Sequence, residues 1–237
     1  MRSRRLAPRA FTGGQSSSHR EPPGTQAHIP TARSEAARVD ALLVALRSYT
    51  PWGATDRTGV ERIHSFLRRG GGFSRNHLPG HVTASAIVVS HSPGQVLLIR
   101  HPRLGRWVQP GGHIELFDGS VLDAARREFE EECGLAILEL PIADQVLDVD
   151  VQRYPASGRI AAHLHFDIRY LFVAGVDRTK PSECMEARWF ELSEIVDLVR
   201  EPSLGRAIVK ASVAMGWTPD ATLLRWLGTL RDHQQPR

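Results

Sequence analysis

A glycine turn followed by an acidic helix constrains this chain more than any other feature. The segment 112–135 opens on glycine and carries four glutamates within five positions, Glu128, Glu130, Glu131 and Glu132. At about 100° per residue, Glu128, Glu131 and Glu132 share one face of a helix, and the fourth points to the far side. Like charges three and four positions apart repel each other. This face is therefore either well solvated or binds a cation, and an oxygen-preferring divalent ion such as Mg²⁺ suits it best.

Composition places the chain among ordinary folded proteins. Its 237 residues are 41% hydrophobic and 24% charged, which fits one domain of about 150 residues plus appendages. The two cysteines match no metal-site spacing and give no disulfide framework, so two reduced thiols in the cytoplasm are expected. No apolar run reaches the ~18–20 residues that a membrane span needs, and no secretory signal is recognisable. We therefore expect a cytoplasmic protein without a membrane partner.

The positive charge of the chain is concentrated near its N-terminus. Residues 1–34 hold six arginines and one acid, whereas the other 203 residues hold 24 basic and 25 acidic side chains. The folded part is thus nearly neutral, which argues against nucleic acid as a partner. A small-molecule nucleotide is the expected ligand, and a homodimer is compatible with the sequence.

Three segments differ in their residue pattern. Residues 1–34 are rich in Arg, Pro, Gly and Ser without periodicity and are predicted to be a disordered tail, with an organellar transit peptide as the alternative. Residues 35–74 are predicted to form an N-terminal helical extension, since an apolar stripe after Ser34 is followed by another at about 57–69. Residues 75–237 are predicted to form the main domain, ending in C-terminal helices.

From Pro79 onward the pattern is that of short strands with helices between them. Two apolar, β-branched runs at 82–90 and 95–100 flank a turn and predict a β-hairpin. Further strands are expected at about 135–140, 145–154, 160–174 and 187–191, and helices at about 120–133, from a cap at Ser193, at 203–214 and at 219–231. Because strands outnumber helices and one helix interrupts the strands, the predicted fold class is α+β.

The segment 112–135 resembles the signature of the Nudix hydrolases, G-x5-E-x7-R-E-U-x-E-E-x-G-U, where U is an apolar residue. The second half matches fully from Arg127 to Leu135. The first half has 14 residues instead of 13 between Gly112 and Arg127, and Asp118 is interpreted as a replacement for the loop glutamate. The neighbouring strand pattern extends the resemblance to about residues 80–200.

This resemblance implies a fold and a reaction. Nudix enzymes share an α/β/α sandwich with a mixed sheet, and they hydrolyse a pyrophosphate linkage in a nucleoside diphosphate derivative with Mg²⁺ or Mn²⁺. By motif position, the metal ligands would be Glu128, Glu131, Glu132 and the carbonyl oxygen of Gly112. Arg127 would brace the loop by pairing with a carboxylate. The proton acceptor for water would be a signature glutamate or a later acid, Glu183 or Glu186, unless those two are ordinary exposed acids.

Several residues outside the signature are candidates for substrate contact. In the strand at 160–174, the period of two places His163, His165, Asp167 and Arg169 on one face. This face either contacts substrate or a metal, or it is the solvent-facing side of a half-buried strand. Trp107 stacks on a base or belongs to the core, and Arg103 and Arg106 bind terminal phosphates or lie in a solvated loop. His113, next to the glycine turn, is interpreted as a loop residue, with a catalytic residue as the alternative.

The leading hypothesis is a metal-dependent pyrophosphohydrolase acting on an ADP-ribose-like compound, a dinucleotide or a nucleoside triphosphate. An isoprenoid diphosphate isomerase with the same fold is a rival enzyme, but Cys133 inside the signature helix is badly placed for the cysteine it needs. The alternative to an enzyme is a non-catalytic Nudix domain that senses a nucleotide and regulates a partner. Such domains commonly lose signature glutamates, whereas this chain keeps all three proposed ligands.

Overall fold

The computed structural model describes residues 34–218 apart from 93, 103, 177–185 and 200, together with the single residues 221 and 228. The helices are α1 (Glu35–Arg47), α2 (Ala54–Arg68), α3 (Val121–Cys133), α4 (Leu192–Leu198) and α5 (Pro202–Ala214). The strands are β1 (Gly80–Ser90), β2 (Gln95–His101), β3 (Arg106–Val108), β4 (Gly111–His113), β5 (Ile137–Glu139), β6 (Asp148–Tyr154), β7 (His163–Ala174) and β8 (Glu186–Glu191). The predicted tail before Ser34 and nearly all of the predicted helix at 219–231 lie outside these residues.

One mixed sheet contains all of these strands, with β1 and β7 at its centre. The two strands pair in parallel along their whole length, from Gly80 opposite Leu164 to Ser90 opposite Ala174. The other ladders given by the described residues are antiparallel, and they join β2 and β4 to β1, β5 and β6 to β7, and β3 and β8 to β2. This topology brings the start of β1 and β7 next to the short strand β4, which leads into the signature loop.

A hydrophobic core lies on each face of the sheet, because successive strand residues point to opposite faces. On β1, Val82 and Ala84 belong to the core that contains α1, α2 and α3, whereas Ile87 and Val89 belong to the core that contains α4 and α5. The predicted α/β/α sandwich with a mixed sheet is therefore confirmed. The N-terminal helical hairpin packs into the same core as α3.

The helix ends follow local capping rules. Ser120 caps α3 by accepting a hydrogen bond from the amide of Asp123 at 3.1 Å, and Gly134 ends the helix with a φ of 64°, in the left-handed region that favours glycine. The predicted cap of α4 at Ser193 is wrong. That helix starts at Leu192, because Glu191, two residues before Ser193, is the N-cap and forms a reciprocal capping box with Glu194.

The polar face of β7 is partly inside the protein, so its interpretation as a solvent-facing side is wrong for Asp167 and Arg169. These side chains are 4% and 0% exposed, and β6 and α5 cover them. The guanidinium of Arg169 is surrounded by three carboxylates within 3.0–3.3 Å, those of Asp148, Asp150 and Asp167. A buried charge is tolerated when it is paired and hydrogen-bonded in this way.

The same network of buried charges continues through Asp148 and joins the helical hairpin to α5. The Nζ atom of Lys210 donates to Asp56 at 2.6 Å and to Asp148 at 2.8 Å, and Arg206 donates to both oxygens of Asp148 at 2.9 and 3.0 Å. The hydroxyl of Tyr49 donates to Asp56 at 2.6 Å. The hairpin is thus attached to the sheet by paired charges as well as by apolar packing.

Within the described residues, no helix is long and apolar enough to cross a membrane.

Candidate functional site

Arg127 joins the loop of the signature to its helix. Its Nε and Nη2 atoms donate to the two carboxylate oxygens of Asp118 at 3.0 and 2.9 Å, and Nη2 also donates to the His113 carbonyl at 2.8 Å. Its Nη1 atom donates to Glu128 at 3.0 Å and to Glu131 at 3.1 Å. The hydrogen bonds to Asp118 raise the pKa of Arg127 above its usual value. The guanidinium therefore forms the pairing expected from the sequence, and its loop partner is Asp118.

Glu128 lies directly against the backbone of Gly112. A Cβ atom at position 112 would come within 2.6 Å of the Glu128 carboxylate carbon, so a side chain there would displace this carboxylate. The ladder between Gly112 and Ala84 of β1 fixes this backbone. Burial raises the pKa of Glu128 above its usual value, although Arg127 counteracts the rise. The Glu128 carboxylate and the Gly112 backbone thus lie side by side. Both offer oxygen atoms, the ligands that hard divalent cations prefer.

The remaining glutamates of the helix differ in exposure. The side chain of Glu131 is 47% exposed, and Glu130 is exposed. Glu132 is only 6% exposed and accepts a hydrogen bond from the Gly111 amide at 2.8 Å. The alternative of a fully solvated acidic face is therefore wrong for Glu132, because this carboxylate ties the helix to the glycine turn. The three proposed ligands form a gradient from the protein interior to its surface.

Arg38 of the N-terminal hairpin also supports this loop. The residue is 3% exposed, and its Nη1 atom donates to the carbonyls of Glu115 and Asp118 at 2.8 and 2.9 Å. Its guanidinium lies 5.1 Å from the centre of the Phe73 ring. Charged donors form the stronger kind of hydrogen bond, so Arg38 and Arg127 together hold both the backbone and the carboxylate of the loop.

One family model matches more than half of the chain. It is the model of the NUDIX domain, and it matches residues 79–210. The chain belongs to the Nudix family. The match includes the strands of the described sheet and the signature helix, whereas α1 and α2 lie before it. The arginine that braces the Nudix loop from α1 therefore comes from outside the matched domain.

Two curated relatives and one solved structure resemble parts of this Nudix chain. "Probable DHNTP pyrophosphohydrolase" of Lactococcus lactis subsp. cremoris (strain MG1363) is 34% identical over 92 residues, 38% of this chain and 52% of the relative. "Uncharacterized Nudix hydrolase YvcI" of Bacillus subtilis (strain 168) is 44% identical over 50 residues, 21% of this chain and 31% of the relative. The chain thus spans about half or less of these relatives. The crystal structure of a NUDIX family hydrolase from Clostridium perfringens is 24% identical with a TM-score of 0.43, over 59% of this chain and 98% of that one.

Four histidines from three strands cluster next to the Nudix loop. The ring centre of His81 lies 4.6 Å from that of His165, 5.0 Å from that of His113 and 5.3 Å from that of His163. His113 lies in β4 and not in a loop, which corrects the sequence interpretation. Burial, together with repulsion from neighbouring charges, lowers the pKa of His81 and His113 to about 4 and that of His165 to about 3. These rings are therefore neutral at pH 7.

Asp167 follows His165 by two residues on the same face of β7 and has a structural role. Its carboxylate accepts hydrogen bonds from two side chains of β1, from the β3–β4 turn and from β7; the donors are Thr83, Ser85, Gln109 and Arg169. With two donors at each oxygen, the carboxylate is engaged inside the protein. Its proposed contact with substrate stays a prediction, and His163 and His165 present the more accessible part of this face.

Other residues proposed from the sequence have partners of their own. Arg106 is paired with Glu201. The Trp107 ring meets the Phe190 ring edge-on at 4.7 Å and packs against the second core, which agrees with the core interpretation. Glu186 begins β8 in an exposed ion pair of 3.5 Å with Arg100. Glu183 and Arg103 lie outside the described residues.

Sequence reasoning overlooked Arg38 and His81. A signal for Arg38 exists, because it lies four and eight positions before Leu42 and Leu46 on the buried stripe of α1. A charged residue in such a stripe indicates a buried partner. For His81 the decisive information is the parallel register with β7, which places it opposite His165.

Proposed function

We propose that this Nudix protein is a metal-dependent hydrolase that cleaves the pyrophosphate linkage of a nucleoside diphosphate derivative, such as an ADP-ribose-like compound, a dinucleotide or a nucleoside triphosphate. The observation that carries the proposal is the contact between the Glu128 carboxylate and Gly112, held by the Arg127–Asp118 pair. The name of the Lactococcus relative, a probable pyrophosphohydrolase, supports this class of reaction.

The donor set suits Mg²⁺ or Mn²⁺. The proposed ligands all offer oxygen; they are the carboxylates of Glu128, Glu131 and Glu132 and the carbonyl of Gly112. Hard divalent cations prefer such ligands. Because Gly112 has no side chain, the Glu128 carboxylate lies directly against its backbone. When bound, the cation neutralises charge on the pyrophosphate and acidifies a water molecule.

The protein side chains supply position and a proton acceptor. Arg127 and Arg38 hold the loop next to the proposed ligands of α3, and such positioning is the main contribution that phosphoryl transfer needs from a protein. Burial raises the pKa of Glu128. This change brings its pKa closer to the neutral range in which a general base works best. Glu183 and Glu186 are the other proposed acceptors.

The substrate side is proposed from charge and position. Arg103 and Arg106 are the candidates for terminal phosphates, and His163 and His165 for the phosphate or base nearest the Nudix loop. Trp107 packs against the second core but is only half-buried, so its accessible part is the candidate for the base. The proposed location is the cytoplasm, because the two cysteines offer no disulfide framework. A homodimer remains a prediction.

The cysteine of α3 does not suit the isomerase alternative. Cys133 is 0% exposed in the core, and burial raises the pKa of its thiol. A buried, protonated thiol is inert. A hydrolase therefore fits the residues of α3 better than a cysteine-dependent isomerase.

A phosphate-release screen tests the proposal. The full chain is assayed on nucleoside diphosphate derivatives with Mg²⁺ and with Mn²⁺, beside the variants Glu131→Gln and Glu130→Gln. We expect Glu131→Gln to lower kcat/KM by about 100-fold or more, the order of loss for an electrostatic catalytic group, and Glu130→Gln to keep the parent rate. Equal losses in both variants would contradict the metal assignment. Nucleotide binding without turnover would favour the sensor.

A further inference from the structure

We propose that His81, His163 and His165 form a second metal site, separate from the signature carboxylates, and that it binds Zn²⁺. One ring nitrogen from each histidine lies within 4.8 Å of the others. The strand register builds this arrangement, because His81 of β1 lies opposite His165 of β7 and His163 precedes it by two residues on the same face. The proposal rests on these contacts and is independent of the hydrolase activity.

The spacing of the nitrogens fits zinc. The Nε2 atoms of His163 and His165 are 3.1 Å apart. Zinc binds imidazole nitrogen at about 2.0–2.1 Å in tetrahedral geometry, which separates two ligand nitrogens by about 3.3 Å. The spacing of this pair is therefore close to that of two zinc ligands, and the His81 nitrogen lies within 4.8 Å of both.

The hydrogen bond of His163 fixes its tautomer. Its Nδ1 atom lies 2.9 Å from the carbonyl oxygen of Ala161. A carbonyl only accepts, so Nδ1 carries the hydrogen and, in the neutral ring, Nε2 keeps its lone pair. That lone pair faces the cluster. A backbone carbonyl that orients the far nitrogen is a common feature of histidine metal ligands.

His81 supplies the independent sign of a ligand. The residue is 1% exposed, and within the described part of the chain neither of its ring nitrogens has a hydrogen-bond partner. Buried polar side chains normally have one. A metal held with His163 and His165 would satisfy the nitrogen that faces them, which gives this buried imidazole a physical reason to be there.

Ligand chemistry separates the two sites. Neutral imidazoles favour Zn²⁺ over Mg²⁺, whereas the carboxylates of α3 favour Mg²⁺. Three protein ligands leave a fourth position for water or a phosphate oxygen. His113 follows Gly112 directly, and its ring centre is 5.0 Å from that of His81, so the histidine cluster lies near the glycine of the proposed carboxylate site.

Equilibrium dialysis of the chelator-treated full chain against Zn²⁺, in excess Mg²⁺, tests the site. We expect the parent to retain one zinc ion that His163→Gln and His165→Gln bind about tenfold or more weakly. The matched control is His91→Gln, an exposed histidine of the β1–β2 turn. Glu131→Gln separates this site from the carboxylates. Both controls are expected to bind zinc like the parent. Co²⁺ in place of Zn²⁺ gives a second readout, since its visible ligand-field spectrum reports tetrahedral nitrogen coordination.

The outcomes are distinguishable. Zinc binding that is unchanged in both His163→Gln and His165→Gln, or that is lost in Glu131→Gln instead, would overturn the proposal. So would a parent that retains no zinc, which would leave the 3.1 Å contact as a hydrogen bond between two imidazoles. His163 is half-buried at the start of β7, so His163→Gln is expected to fold, as circular dichroism would verify, and it keeps the test valid if His165→Gln does not.

Discussion

The carboxylate of Asp118 and the guanidinium of Arg127 form a bidentate ion pair, with two N–O distances of 3.0 and 2.9 Å. Asp118 also accepts a hydrogen bond from the Glu115 amide at 2.7 Å. The pair forms although the loop is one residue longer than the Nudix signature and the acid is one methylene shorter. The longer loop and the shorter side chain are therefore compatible with the same brace between loop and helix.

Breaking this pair is expected to reduce both activity and stability. Asp118→Asn keeps the shape of the side chain but removes its charge, so Arg127 loses its strongest partner and the loop its orientation. We expect kcat/KM to fall about 10- to 100-fold, as for other residues that orient ligands, and the free energy of unfolding to fall by about 1–3 kcal/mol. Steady-state kinetics and urea unfolding measure the two effects. Asp118→Glu, which keeps the charge, is expected to recover part of the rate; equal rates for the parent and Asp118→Asn would refute the brace.

Arg38 is expected to act as a positioning residue. Arg38→Met removes the donor to the carbonyls of Glu115 and Asp118 but keeps most of the apolar stem. Because the loop loses the guanidinium that holds two of its carbonyls, we expect kcat to fall several-fold with little change in KM. Arg57→Met, at an exposed position on α2, is the control.

The kinetic split distinguishes positioning from general damage. Measurement of kcat and KM is paired with the melting temperature of each variant. Partial rescue of kcat by Arg38→Lys, which restores a charged donor, would support positioning. A loss of stability with unchanged kcat would reduce Arg38 to a structural residue.

Local features were predictable and contacts between distant strands were not. The signature helix follows from its own sequence, since the cap at Ser120, the apolar stripe and Gly134 all lie within it. The burial of Asp167 and Arg169 depends on β6 and α5, which reach β7 from elsewhere in the chain. The histidine cluster likewise depends on the register of β1 against β7, and a period of two within one strand cannot reveal it.

The buried lysine of α5 is expected to matter for stability. Lys210 is 4% exposed and pairs with Asp56 and Asp148. Lys210→Met leaves two buried carboxylates without this cation, so we expect the free energy of unfolding to fall by about 3–5 kcal/mol. Arg188→Met removes an exposed ion pair with Glu194 and is expected to change it by about 1 kcal/mol or less. Urea unfolding of both variants checks the contrast, and similar losses would argue against it.

The pH dependence of stability is expected to report the same cluster through Asp56. Burial alone would raise the pKa of this carboxyl, but hydrogen bonds from Lys210, Tyr49 and the Trp52 amide hold it below its ordinary value of 3.8. The folded state therefore binds this proton less readily than the unfolded state. The stabilisation by the carboxylate is complete above the unfolded pKa and is lost as the pH falls through the lower, folded pKa.

A difference measurement isolates this carboxyl from other titrating groups. The free energy of unfolding is measured for the parent and for Asp56→Asn at several pH values from 7 to 3. We expect the parent to be more stable by a constant amount between pH 7 and 5, and by a shrinking amount below about pH 4, since protonation makes the parent resemble the variant. Asp40→Asn, at an exposed position on α1, is the control and is expected to show a small difference throughout. A difference for Asp56→Asn that stays constant down to pH 3 would show that its carboxyl has no lowered pKa in that range.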